Sequence, residues 1–314
     1  MQRYAAVSAV LVATASLTSA QTGADPYAAP APLPELSAST PSASALAARY
    51  GAVRHDIERA RATAERVGDT GRARALGAFL RPGRRFLAFD ARGSGRVVEV
   101  LGDLGRADRV AVVVPGADGE LTNFDSWKWA GGGARALRDQ ALRTAPGTRL
   151  AVVAWLGYAS PSTLGPAVLG TGRADDAARG LRTLVAGLRK TNPRAGIGLL
   201  CHSYGSVVCG RARGLPVDGI ALYGSPGTTA ASVADLRTTA TVWAGRAKGD
   251  WTRYVPKVRV AGLGFGRDPL SPAFGARRFD AGTGPHSAYL KPGSTALRNL
   301  TLIALGRHAE VRHG

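Results

Sequence analysis

The chain has 314 residues of which 45% are hydrophobic, enough to bury the core of one large domain and inconsistent with a disordered or collagen-like polypeptide. Aromatic residues make up only 6%, so the core must be built mainly from aliphatic side chains. The net charge of +19 is carried mostly by arginines scattered singly or in pairs, with Arg84-Arg85 and Arg277-Arg278 the densest spots; this lacks the stripe of a specific nucleic-acid footprint and reads as a solvated, arginine-biased surface, with attraction to anionic cell-surface polymers as the alternative.

Residues 1–20 open with Met1-Gln-Arg, continue as an apolar run from Tyr4 to Leu17 broken only by Ser and Thr, and end in Thr18-Ser19-Ala20. This is the pattern of a secretory signal peptide cleaved near Ala20, and the run is shorter than the roughly 20 apolar residues a membrane span needs. The expected location is therefore extracellular or cell-wall associated. Residues 21–44, rich in Ala, Pro, Ser and Thr with little charge, read as a flexible linker. Within residues 45–80, Leu46, Tyr50, Val53, Ile57, Ala60, Ala64 and Val67 recur at spacings of three and four before Gly68, which predicts a helix whose apolar face packs on the main domain.

The main domain is expected over 84–308. Phe86 to Phe89 and Val97 to Leu101 read as a hairpin around Gly93-Ser-Gly95, followed by apolar runs at Val110 to Val114, Leu150 to Trp155, Ile197 to Leu200, Ile220 to Tyr223 and Thr241 to Ala244. Helix patterns over about 131–143, 173–190 and 204–213 fall between them. Continuous apolar strands alternating with helices imply a mostly parallel sheet with helices on both faces, and such sheets bind ligands at the carboxyl ends of their strands.

At one of those ends stands Cys201-His202-Ser203-Tyr204-Gly205. A strand-to-helix turn that holds a serine between small residues lifts its hydroxyl above the sheet, which makes Ser203 the candidate nucleophile. A hydroxyl needs a base to take its proton. His286, in the loop Gly282-Thr-Gly-Pro-His286 after a strand expected at Arg278 to Asp280, stands where chain order requires the base. His55 falls on the N-terminal helix, His308 and His313 in the basic tail, and His202, adjacent to the serine, is expected to point to the other side of the turn. Asp250, after the strand ending at Ala244, is the preferred orienting acid, and Asp268 in an Asp-Pro turn is the alternative. The oxyanion-binding N–H groups are assigned to Tyr204 and to Ala117, chosen over Gly116, in the loop Pro115-Gly116-Ala117-Asp118-Gly119. Phe124, Trp127, Trp129, Tyr158 and Leu164 are candidates for an acyl or alcohol pocket, and Tyr158 to Gly172 for a lid. Cys201 and Cys209 are expected as two free, buried thiols, and no spacing of Cys, His and carboxylates suggests a metal or other cofactor.

Between about Arg84 and His308 the chain resembles an actinobacterial α/β-hydrolase family of unknown function, alpha/beta hydrolase type 8. The matching pieces include Val114-Pro-Gly116, Ala154-Trp-Leu-Gly-Tyr158, His202-Ser-Tyr-Gly-Ser206, Gly224-Ser-Pro-Gly227, Val242-Trp-Ala-Gly245 and Phe274-Gly-Ala-Arg277. The resemblance implies an α/β-hydrolase fold with a Ser203 nucleophile and supplies no substrate. Cys201 replaces the family's elbow glycine, and Pro285 stands where a glycine usually precedes the histidine. Together the residues and the resemblance lead to the expectation of a secreted serine hydrolase acting on an ester, carboxylesterase- or lipase-like, with a small-molecule or lipid-like acyl substrate. Cleavage of amides by the same residues is a variant of that reading. The alternative of a different class is a non-catalytic protein of the same fold that binds a ligand or an anionic cell-surface polymer.

Overall fold

The computed structural model describes residues 25–30, 43–260 and 262–314; the expected signal peptide and most of the expected linker lie outside them. Eight strands form one sheet in the order β1-β2-β4-β3-β5-β6-β7-β8. β1 (Arg85–Asp90) and β2 (Arg96–Leu101) form the expected hairpin, and β2 runs antiparallel to β4 (Leu150–Leu156). From β4 onward the neighbours are parallel: β3 (Arg109–Val114), β5 (Gly196–His202), β6 (Gly219–Tyr223), β7 (Thr241–Gly245) and the two-residue β8 (Arg277–Arg278).

The continuous apolar runs are explained by two cores, one on each side of the sheet. Along β3, Ala111 and Val113 enter one core while Val110, Val112 and Val114 enter the other; a strand buried on both faces cannot alternate with polar residues. The first core is covered by α3 (Ala130–Thr144) and α6 (Thr295–Ala304) and the second by α4 (Gly172–Thr191) and α5 (Tyr204–Arg211). The N-terminal segment forms two helices, α1 (Ala43–Arg66) and α2 (Thr70–Phe79), separated at Gly68, with Asp69 capping α2 by accepting from Arg72 N–H at 3.0 Å. Val53 and Ile57 are fully buried in the first core with Phe79 and Phe86, so this segment is built into the domain. Residues 25–30, inside the stretch read as a flexible linker, also pack on it: Tyr27 is buried, its hydroxyl donates to Asp69 at 3.1 Å, and Gly93 N–H donates to Asp25.

The carboxylate that the sheet buries on β2 is paired. Glu99 on β2 accepts from Arg84 and Arg135, which also share Asp125. This network joins the edge of the sheet to α3, and removal of one arginine would leave a buried carboxylate only partly compensated.

The expectation of two free thiols is corrected: Cys201 and Cys209 form a disulfide. The tight turn at Ser203 folds α5 back over the end of β5, so Cys209, in the second turn of the helix, returns to face the strand it left, with Cα atoms 6.5 Å apart. That lies inside the range a disulfide can bridge. Among the described residues no helix is long and apolar enough to cross a membrane.

Candidate active site

β3 sits between β4 and β5, and its outgoing helix α3 lies on the opposite face of the sheet from α5, which leaves β5. Chains that diverge to opposite faces open a crevice at the strand ends. Ser203 stands there, at the turn between β5 and α5, with φ 52° and ψ −124°. A positive φ on a serine is a strained backbone held by its surroundings; here Ser203 N–H donates to Tyr223 O at 3.0 Å. Gly205 is required two residues on, because a Cβ there would stand 2.6 Å from the carbonyl oxygens of Val114 and Pro115.

The structure brings Ser203, His286 and Asp250 together from three loops. Ser203 Oγ lies 2.9 Å from His286 Nε2, and His286 Nδ1 lies 2.9 Å from Asp250 Oδ1. The carboxylate can only accept, so Nδ1 carries the proton and Nε2 is free to accept from the serine hydroxyl. Asp250 is fully buried. Its Oδ1 also accepts from Thr252 N–H and Thr252 Oγ1, each at 2.8 Å, and its Oδ2 accepts from the Tyr289 hydroxyl. Burial alone would raise the Asp250 carboxyl; the His286 hydrogen bond and charge, with Tyr289 and Thr252, overcome burial and hold it well below the usual carboxylate range. Gly224, with φ 56°, lets this group assemble, since a Cβ there would lie 2.8 Å from Asp250 Oδ2 and 3.2 Å from the His286 ring. Pro285 fits its loop by offering its carbonyl to Ala288 N–H at 2.9 Å.

Asp268, the alternative acid, is held elsewhere by a two-pronged ion pair with Arg246 at 2.7 and 2.9 Å. His55 is exposed beside Glu58, and His308 and His313 pack against Trp243. His202 does not turn away from the site. It follows Leu200 by two positions on the same face of β5, the face from which the His286 loop approaches. Its ring lies 4.7 Å from that of His286 and stacks on Tyr223 at 5.1 Å, and its Nε2 donates to the His286 carbonyl at 2.9 Å. Burial first, and the neighbouring His286 second, lower the His202 pKa to about 3, so the ring stays neutral.

In the β3 loop, the Gly116 carbonyl accepts from the Tyr158 hydroxyl at 2.9 Å and from Ser160 Oγ at 2.7 Å. Neither Ala117 N–H nor Tyr204 N–H has a hydrogen-bond acceptor among the described residues. The Tyr204 ring points the other way: its hydroxyl donates to Gly170 O at 2.9 Å and accepts from Ala174 N–H, tying the elbow to the start of α4. Ser203 opens onto a cleft of about 610 Å³ whose apolar lining includes Trp129, Val168, Leu169, Trp251, Phe265 and Leu290. Of the aromatic and apolar residues proposed for the pocket, only Trp129 lines it. Phe124 is core packed on Phe79, Tyr158 lies buried under the β3 loop, and Trp127 and Leu164 are exposed. The stretch Tyr158 to Gly172 contributes Thr163, Val168 and Leu169 to one wall. Among the described residues no cluster of His, Cys, Asp and Glu could hold a metal ion.

An uncharacterized protein of Mycobacterium tuberculosis, Rv2079, is 31% identical over 252 residues, covering 68% of this chain and 37% of the relative. A second from the same organism, Rv0963c, is 32% identical over 158 residues, 47% of this chain and 59% of the relative. The chain thus spans less than two thirds of either. Among solved structures, a serine hydrolase without a lid from Xanthomonas campestris superposes with a TM-score of 0.42 at 17% identity, covering 72% of this chain and 95% of the other. A dienelactone hydrolase-like promiscuous phosphotriesterase from metagenomic libraries gives a TM-score of 0.47 at 16% identity, covering 74% and 98%. The alpha/beta hydrolase family model matches residues 90–260, more than half of the chain and a span that contains both Ser203 and Asp250, and the chain belongs to the alpha/beta hydrolase family.

Proposed function

We propose that the protein is an exported serine hydrolase that cleaves carboxylic esters with an apolar acyl or alcohol portion. The observation that carries this reading is the unbroken line of hydrogen bonds from Ser203 Oγ through His286 to Asp250, opening on an apolar cleft. Ser203 Oγ attacks the ester carbonyl carbon as its proton passes to His286 Nε2. The negative charge on the former carbonyl oxygen is received by Tyr204 N–H and Ala117 N–H. A trans peptide aims its N–H opposite its carbonyl, so the two hydroxyls that hold the Gly116 carbonyl leave Ala117 N–H directed away from them. Collapse breaks the bond to the alcohol oxygen, which takes the proton from Nε2, and water then repeats the sequence on the acyl-serine. Asp250 holds the tautomer and balances the imidazolium.

The test is intact-mass measurement after exposure to a fluorophosphonate. One adduct on the native chain, none on Ser203→Ala and slow labelling of His286→Ala are expected, followed by turnover of a panel of p-nitrophenyl esters. A folded native chain that stays unlabelled overturns the proposal and leaves the ligand-binding reading. Export is tested separately: the protein recovered from culture medium should begin at Gln21.

A further inference from the structure

Apart from Val67 and Leu142, the large apolar side chains exposed among the described residues all lie on three segments, 127–129, 163–169 and 251–265. Each of these also supplies residues to the cleft beside Ser203. The exposed apolar surface is therefore gathered in a collar around the cleft rather than dispersed. Its members are far from marginal: Leu164 is 98% exposed, Tyr254 80% and Val260 68%. Collected apolar surface of this kind marks a contact site.

Two further features say what the collar contacts. Part of this segment's backbone is already engaged: in the 258–266 turn Val260 and Leu263 exchange hydrogen bonds at 3.0 and 2.9 Å, Gly266 N–H donates to Val258 O, and Gly264 N–H donates to Leu169 O. Val260 and Leu263, the exposed tips of this segment, therefore carry N–H groups that an apolar phase would not strand. The same stretch is cationic. Arg253, Arg259 and Arg267 are exposed and form no ion pair among the described residues, while Asp250 and Asp268, on either side of them, are engaged inward by His286 and Arg246. A protein seated on this collar would close the cleft it surrounds. A lipid layer would instead feed the cleft.

We propose that this collar docks on an anionic lipid layer, with Val260, Leu263 and Leu164 entering the acyl region and Arg253 and Arg259 meeting the headgroups, and that the ester cleaved is drawn from that layer. Docking rests on the collar alone; the origin of the substrate rests also on the serine-hydrolase reading.

The experiment keeps the two apart. Adsorption of the Ser203→Ala chain is measured by co-sedimentation with vesicles of phosphatidylcholine alone and of phosphatidylcholine mixed with phosphatidylglycerol. Binding should be stronger to the anionic vesicles, fall about tenfold or more when Val260→Asp and Leu263→Asp are combined, and lose its preference for anionic lipid in the Arg253→Gln, Arg259→Gln pair. On the background that retains Ser203, the aspartate pair should leave the hydrolysis of a water-soluble short-chain ester unchanged. Equal retention of the native and aspartate-substituted chains, no adsorption to anionic vesicles, or a solution dimer dispersed by the same aspartates overturns the docking proposal. Adsorption without ester cleavage by any form leaves docking in place and removes the hydrolase reading.

Discussion

Asp250, itself fully buried, accepts from three side chains and one backbone N–H. Its replacement by Asn removes the charge that fixes Nδ1–H on His286, and the amide can turn its own donor toward that ring. A change of this type is expected to lower kcat by about ten-thousandfold with little effect on KM, measured on a soluble ester. His202 carries a different prediction. Its pKa is lowered to about 3, against about 6.5 for an unfolded histidine. Below about pH 6.5 the unfolded chain takes up a proton that the folded chain does not, so this histidine makes folding stability fall as pH drops toward about 3. Thermal melts should show the native chain losing more stability than His202→Gln between about pH 7 and about pH 4, and parallel curves would refute this role. Ser203, His286 and Asp250 could be picked from the sequence because chain order and strand ends limit the choices. His202, Tyr289 and Thr252 could not, since the sequence does not say which side of β5 the His286 loop approaches from, nor that the Tyr289 hydroxyl folds back onto a carboxylate 39 residues away.

At the scale of elements, the β3 loop is set by hydroxyls arriving from the end of β4. Tyr158→Phe preserves the ring that stacks on Trp155 at 5.7 Å while removing one of the two donors to the Gly116 carbonyl. Loss of an oxyanion donor outright costs about 100-fold to 1000-fold. Freeing the peptide that carries it is expected to cost on the order of tenfold in kcat for Tyr158→Phe or Ser160→Ala alone, and more for the pair. Rates unchanged in both variants would show that Ala117 is held by other means. The strands were legible as apolar runs because both faces of the sheet are covered, and their ends fell within two residues of those expected. β8 was the least legible: the strand expected at Arg278 to Asp280 overlaps it only at Arg278, and its two arginines pair with Trp243 and Ala244 yet are exposed and carry no apolar signal. The disulfide was missed for a related reason. Spacing in the sequence does not reveal that the strained serine sends α5 directly back over β5.

At the scale of the molecule, the sheet and its N-terminal helices form one folding unit, because Val53 and Ile57 of α1 share a core with strands β1 to β4. Ile57→Ala is expected to destabilise the whole domain by about 2–5 kcal/mol, read as a shift of a single denaturation midpoint. A separate early transition, with the serine site still intact, would show that the helices unfold alone. The helical face was legible from its three-and-four spacing, and its destination was not, since the same face would serve a partner equally well. The bond between Cys201 and Cys209 reaches beyond structure to the place where the chain matures. The polypeptide leaves the ribosome with two thiols beneath its serine, and an electron acceptor must remove their hydrogens before the elbow is covalently closed. The closed loop is worth about 2.5 kcal/mol by chain-entropy reasoning, and both sulfurs are buried, so the oxidation is a step of folding that is slow to reverse afterwards. A cell that kept this chain in a reducing compartment would hold it in a looser form. Moving it to an oxidising one would complete the serine's setting, making the compartment's redox poise a reagent in the assembly of the site.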